Sequence, residues 1–295
     1  MSRDLDPVTG DELKNTLDTL YANRSQKHLS NDPLSFCHRF KVPEDREVAG
    51  LIASSFAYGN VKIILRNLES IFSRTGTSPR RFVEKFDPDK GAILFAGFKH
   101  RFNDSRDLCA LLYAIRLMIS ESGSIENFFS KRFNPEDDDV SNALTSFSSA
   151  VLAFDYTPVF GTPTPPEDSY FNFLFPSPEA GSACKRLCMY LRWMVRPDDG
   201  IDLGVWKRIH PSKLVIPVDA HIQRICRLLG FSARKQADWK MALEITAALR
   251  RLEPLDPVKY DFSICHLGIS DGCSGNGSSQ CTVCPIKGVC AGRAS

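Results

Sequence analysis

Four cysteines stand within eighteen residues near the end of the chain, in the order Cys273-x7-Cys281-x2-Cys284-x5-Cys290. The same stretch holds Gly275, Gly277, Gly288 and Pro285. Such a loop builds no core of its own, so a bound metal is its natural organiser. Four thiolates suit either a [4Fe–4S] cluster or Zn²⁺. Zinc ribbons use two C-x2-C pairs far apart, and this tail has a single pair, which favours iron–sulfur over zinc. Four unligated thiols are the remaining reading. The chain carries ten cysteines in all, and it opens on an acidic, polar stretch, MSRDLDPVTGDELK, unlike a secretion signal. No apolar run reaches the roughly 18–20 residues that span a bilayer. The expectation is a cytoplasmic monomer without a membrane partner, whose cysteines serve metal or redox chemistry rather than disulfides.

The hydrophobic pattern predicts an all-α protein. Leu13, Leu17 and Leu20 sit at helical spacing within residues 8–29. Val48, Leu51 and Ile52, then Ile63, Ile64, Leu68 and Ile71, mark two helices in 44–74, broken at Tyr58-Gly59-Asn60. Residues 105–130 hold one or two more, and 134–140 are a polar interruption. Residues 155–180, rich in Pro and aromatics, read as an irregular surface insertion. Helices resume at CKRLCMYLRWMV and again over 219–229 and 239–252, with Asp219 and Asp238 as N-caps, Gly230 as a stop and Pro254 beyond. No alternating strand pattern and no internal repeat is visible. The 295 residues, 43% of them apolar, allow one large domain or two modest ones.

The segment Val218-Asp219-Ala220-His221-Ile222-Gln223-Arg224-Ile225 carries a second signal. Its commonest meaning is an N-cap aspartate on an amphipathic helix. Together with the cysteine tail, it resembles the helix–hairpin–helix DNA glycosylases of the endonuclease III type. Those proteins carry V-D-x-H-x-x-R-x before a four-cysteine loop that has one residue fewer between the first two cysteines. FSICHLGISDGC is similar to the helix that enters that loop. The resemblance runs from about Glu44 to Cys290 and is densest after Gly181. GSACKRLCMYLRWMVR also resembles an uncharacterised bacterial family that is glycosylase-like in fold without an assigned reaction.

The resemblance implies a two-domain, all-α glycosylase fold with a C-terminal iron–sulfur loop. A helical barrel would span 41–217, and residues 1–40 with 218–295 would form the cluster domain. It implies a [4Fe–4S] cofactor held by Cys273, Cys281, Cys284 and Cys290, with Zn as the alternative, and DNA or RNA as partner. The implied activity is removal of a damaged base, with or without strand cleavage. The alternative is a non-catalytic nucleic-acid-binding protein on the same scaffold. Asp219 would face the sugar. Lys185, which precedes an apolar helix in the family's order, would be the amine nucleophile. Two departures stand against this role. Pro178-Glu179-Ala180-Gly181 lacks the second glycine of the family's hairpin, and Lys185 follows Gly181 by four residues rather than two. The longer link RPDDGIDLGVWKRIHPSK is an apparent insertion, although some archaeal 8-oxoguanine glycosylases also have a long connection here. The ordinary reading of Lys185 is a first-turn basic residue.

The net charge is only +2, so a nucleic-acid surface must arise from local clustering. Arg186, Arg192, Lys213, His221 and Arg224 are the candidate contacts. Arg196, Lys207, Arg208 and Arg227 lie nearby, with Tyr190, Trp193 and Trp206 interleaved. Solvated helix faces over buried aromatics would produce the same pattern. Ser54 and Ser55 fall where the family places the side chain that fills the gap left by a flipped base. His28, His38, His100, His210 and His266 show no ligand spacing.

Overall fold

The computed structural model describes residues 10–23, 26–275, 277 and 279–292. The protein is mostly helical, as the periodicity predicts. Among the described residues, the only sheet is a two-stranded antiparallel hairpin that pairs Lys99–His100 with Asn103–Asp104.

The N-terminal helix is Gly10–Ala22, followed by 3₁₀ turns at Gln26–Asn31 and Pro33–Arg39. Parts of the expected 8–29 helix lie outside the described residues. The 44–74 pattern resolves into Pro43–Ser55 and Val61–Thr75, the second capped by Asn60, whose side chain accepts from the Lys62 N–H. Val48, Leu51 and Ile52 are fully buried, and Ile64, Leu68 and Ile71 face inward. Ile63 is 41% exposed, so the second helix turns a narrower face inward than its apolar residues suggest. Ser105–Ser122 and Ile125–Ser130 are separate helices, parted by the left-handed Gly123.

Residues 155–180 lie partly on the surface, as expected, but they also send side chains into the core. Tyr156, Phe171, Leu174 and Phe175 are buried, and the Tyr156 and Phe171 rings lie 4.8 Å apart. The prolines forbid a long helix, and Tyr156, Phe171 and Phe175 pack their apolar area into the core, while Tyr170 and Phe173 stay at the surface. Here Tyr156 also satisfies its hydroxyl, donating to the Val151 carbonyl at 2.7 Å.

Two helix pairs position the site. Pro43–Ser55 packs on Lys185–Val195, and the Tyr190 hydroxyl donates to the Glu47 carbonyl at 3.2 Å. Ala220–Leu228 packs on Asp261–Ile269. The second pair approaches closely because Gly268 has no side chain: a Cβ there would overlap the His221 ring. The N-terminal helix docks beside the second pair. Asp18 accepts from Lys259 and from the Tyr260 hydroxyl, each at 2.8 Å, and Lys14 meets Glu253 at 3.3 Å.

Candidate active site

Asp219 caps its helix as expected. One carboxylate oxygen accepts the N–H groups of His221 and Ile222 at 2.8 and 2.9 Å. The other oxygen lies 3.5 Å from the Cys265 thiol. Capping therefore fixes the carboxylate's direction and leaves its second oxygen only one weak sulfur donor.

Lys185 starts the Lys185–Val195 helix, just after Cys184. Cys184 holds a left-handed backbone, φ 46°, unusual for a residue with a side chain. Burial pushes its thiol up to about 12, which holds the sulfur protonated near neutral pH. The expected hairpin is replaced by a turn through the left-handed Gly181, whose carbonyl accepts from the Trp239 N–H at 3.2 Å. The Lys185 ammonium donates to the Ala57 carbonyl at 3.2 Å.

Lys185 and Asp219, 34 positions apart, line one cavity of about 450 Å³. Asp32, Tyr58, Asn60, His221 and Cys265 share its walls. The polar groups come from five separate segments, which only the tertiary fold brings together. Asp32 is absent from the sequence-based reading. Burial pushes its carboxyl up; the Leu34 N–H and the charges of Arg192 and Lys185 oppose this without cancelling it. Its one sequence signal is a position just before a proline, where it caps the Pro33–Arg39 turn.

Several expected contacts are displaced. Arg192 lines the cavity but is only 4% exposed, and its guanidinium is already engaged: it bonds Asp202 at 3.1 Å and also bonds Asp261. Burial would lower its pKa, but the two carboxylates outweigh burial and hold it raised. Arg186 is likewise buried. It donates to the Ser55 and Phe173 carbonyls, and its guanidinium lies 4.1 Å from the Phe173 ring centroid. Both arginines are held inside because their helix turns that face to the core, where backbone carbonyls and carboxylates consume their donors. Arg196 is buried against Asp202 and Asp256. Lys213 donates to the Asp137 carbonyl at 2.6 Å and does not line the cavity. Tyr190, Trp193 and Trp206 are core residues, as are Ser54 and Ser55. His221 does line the cavity, and Arg224 joins His221 to the Cys273 carbonyl, tying the helix to the cysteine tail.

In that tail, Cys273, Cys281 and Cys284 share the wall of a second cavity, about 290 Å³. Burial raises the Cys284 thiol, and the neighbouring Cys273, Cys290 and Cys281 raise it further by like charge. Cys284 thus lies near the other three cysteines, and thiolates are soft donors of the kind a thiophilic metal takes. Among the described residues, no three His, Cys, Asp or Glu side chains converge in a finished metal-holding geometry.

The fold and site define a mostly helical protein with a largely apolar cavity that carries groups of both charges, and a cysteine-rich tail. The chain belongs to the DUF2400 family, described as a protein of unknown function, whose model matches residues 32–270. Asp32, Lys185 and Asp219 fall within that match, and the four tail cysteines lie beyond it. No curated protein and no solved structure matches the chain. Among the described residues, no helix is long and apolar enough to cross a membrane.

Proposed function

We propose that this chain removes a base from DNA by glycosylase chemistry, acting on a nucleotide turned out of the stack. The observation that carries this reading is that Lys185 and Asp219 share one cavity, joined there by Asp32. The two-domain division, with a barrel over 41–217 and a cluster domain of 1–40 plus 218–295, belongs to the same proposal.

A flipped nucleotide would place its sugar in the cavity. The Lys185 amine would leave the Ala57 carbonyl and attack C1′, forming a C–N bond as the bond to the base breaks. Asp219 offers an anion to the positive charge that develops on the sugar. The proton lost from the attacking amine needs an acceptor; Asp219, Asp32 and Asp261 are the carboxylates on the wall, and Asp261 is already paired with Arg192. The family resemblance adds a [4Fe–4S] cluster, which Cys273, Cys281, Cys284 and Cys290 would hold. Bound there, it would supply folding free energy to a tail with little core of its own.

Sodium borohydride trapping on abasic and damaged duplexes tests this reading. A covalent complex requires an amine nucleophile and is the expected result. Tight DNA binding without trapping on any substrate would instead favour a non-catalytic binding protein. Two observations support that second reading: the ammonium is already engaged by the Ala57 carbonyl, and the turn before it departs from the family's hairpin.

The cluster has its own measurement. Anaerobically purified protein should be brown, absorb near ~400 nm and carry about four irons per chain. Cys281→Ser should strip that content, and Cys265→Ser should not. Colourless protein with one zinc per chain would replace iron at the site, and metal-free protein would remove the site altogether.

A further inference from the structure

Phe102, Tyr170 and Phe173 are 46%, 48% and 42% exposed, a costly arrangement for three large rings in one place. They come from different segments. Phe102 lies at the tip of the 99–104 hairpin, and Tyr170 and Phe173 lie in the segment after Pro166. The Phe102 and Tyr170 rings are stacked, 5.3 Å apart and inclined by 23°. Phe173 meets Phe102 edge-on at 6.2 Å and Tyr58 at 5.2 Å. Tyr58 lines the candidate active-site cavity, so the rings run without interruption from its wall to the surface.

The hairpin is built to hold this position. Arg101, at the turn, takes a left-handed φ of 53°. Its guanidinium lies 5.3 Å from the Phe102 ring centroid. Its side chain also crosses Gly59 on the cavity wall, where a Cβ would meet the Arg101 Cδ at 2.8 Å. The Tyr58 hydroxyl bonds the hairpin at the His100 carbonyl, 3.0 Å, and at the Asn103 side chain, 2.6 Å. A strained backbone, a cation and three exposed rings therefore converge at one edge of the cavity.

We infer that this ring cluster is a stacking platform for unpaired nucleobases, in the strand that feeds the cavity. Nucleobases match its chemistry because each offers a flat π-face to a ring and a phosphate to a cation such as Arg101. A nucleotide turned into the cavity leaves its neighbour without a partner, and the platform would receive that neighbour. This inference rests on the nucleic-acid reading above and narrows the substrate to DNA or RNA with an unpaired stretch.

The test is fluorescence anisotropy with the full chain, using labelled oligo-dT, oligo-rU and a blunt duplex. The wild type should bind the single strands more tightly than the duplex. Phe102→Ala/Tyr170→Ala should weaken single-strand binding by about 5- to 150-fold, the range for losing one stacked base. Phe102→Trp should restore it in a Tyr170 background, and its indole emission should be quenched on binding. Comparing the two single strands shows which sugar is preferred, and a loss on either supports the platform. If the double variant, with an unchanged melting curve, binds single strands as well as the wild type does, the platform is wrong and the rings serve another partner. If the wild type binds no nucleic acid of any kind, the platform and the glycosylase reading fall together.

Discussion

Asp219→Asn should lower base release by about 10²- to 10⁴-fold while DNA binding survives. Asparagine caps helices as well as aspartate does, so the His221 and Ile222 N–H groups remain satisfied and the helix keeps its entry. What disappears is the negative charge beside the sugar, together with a proton acceptor. Lys185→Gln is the companion measurement. It should abolish borohydride trapping completely, and it should spare base release only if water attacks C1′. An Asp219→Asn protein that binds and turns over like the wild type would remove the cavity from the chemistry. If trapping persists in Lys185→Gln, the nucleophile is a different amine.

The second large effect concerns stability. Arg192→Met should cost about 3–5 kcal/mol, read from urea unfolding, because it strands the buried Asp261 carboxylate and takes one of two cations from Asp202. Asp261 would lose the cation that offsets its removal from water, and Asp202 would keep Arg196 alone. A phosphate-binding arginine behaves in the opposite way: its loss weakens DNA binding and the salt dependence of binding, and leaves stability nearly unchanged. The two outcomes separate the buried role from the one that the sequence pattern suggested. A loss of stability below about 1 kcal/mol, within the range of an exposed pair, would contradict the burial argument.

That contrast shows where the sequence is legible. Pro43–Ser55 and Val61–Thr75 are readable because their apolar stripes are long and regular and Gly59 breaks the chain between them. Asp219 and Asp238 are readable as caps because capping is a local matter. The short helices Pro79–Glu84 and Pro88–Leu94 are too brief to show a period. Residues 155–180 mislead because proline reports on backbone and says nothing about burial. The arginines mislead for a related reason. Arg192 and Arg196 look like a basic stripe until Asp261 and Asp256, more than sixty positions away or close to it, are seen folded onto them. Asp32 has no local marker for the cavity at all, since its neighbour Lys185 lies in a different half of the chain.

The ties between the N-terminal helix and Glu253, Lys259 and Tyr260 have a consequence for the order of synthesis. The partners of Lys14 and Asp18 lie 239 to 246 positions further along the chain. At the usual pace of about 5–20 residues per second, the Gly10–Ala22 helix waits roughly 10–50 s for the surface that covers it. During that interval Leu17 and Leu20, both buried in the finished protein, have no permanent cover. Residues 43–195 are synthesised during that interval, and Gly10–Ala22 can dock only after Glu253, Lys259 and Tyr260 follow.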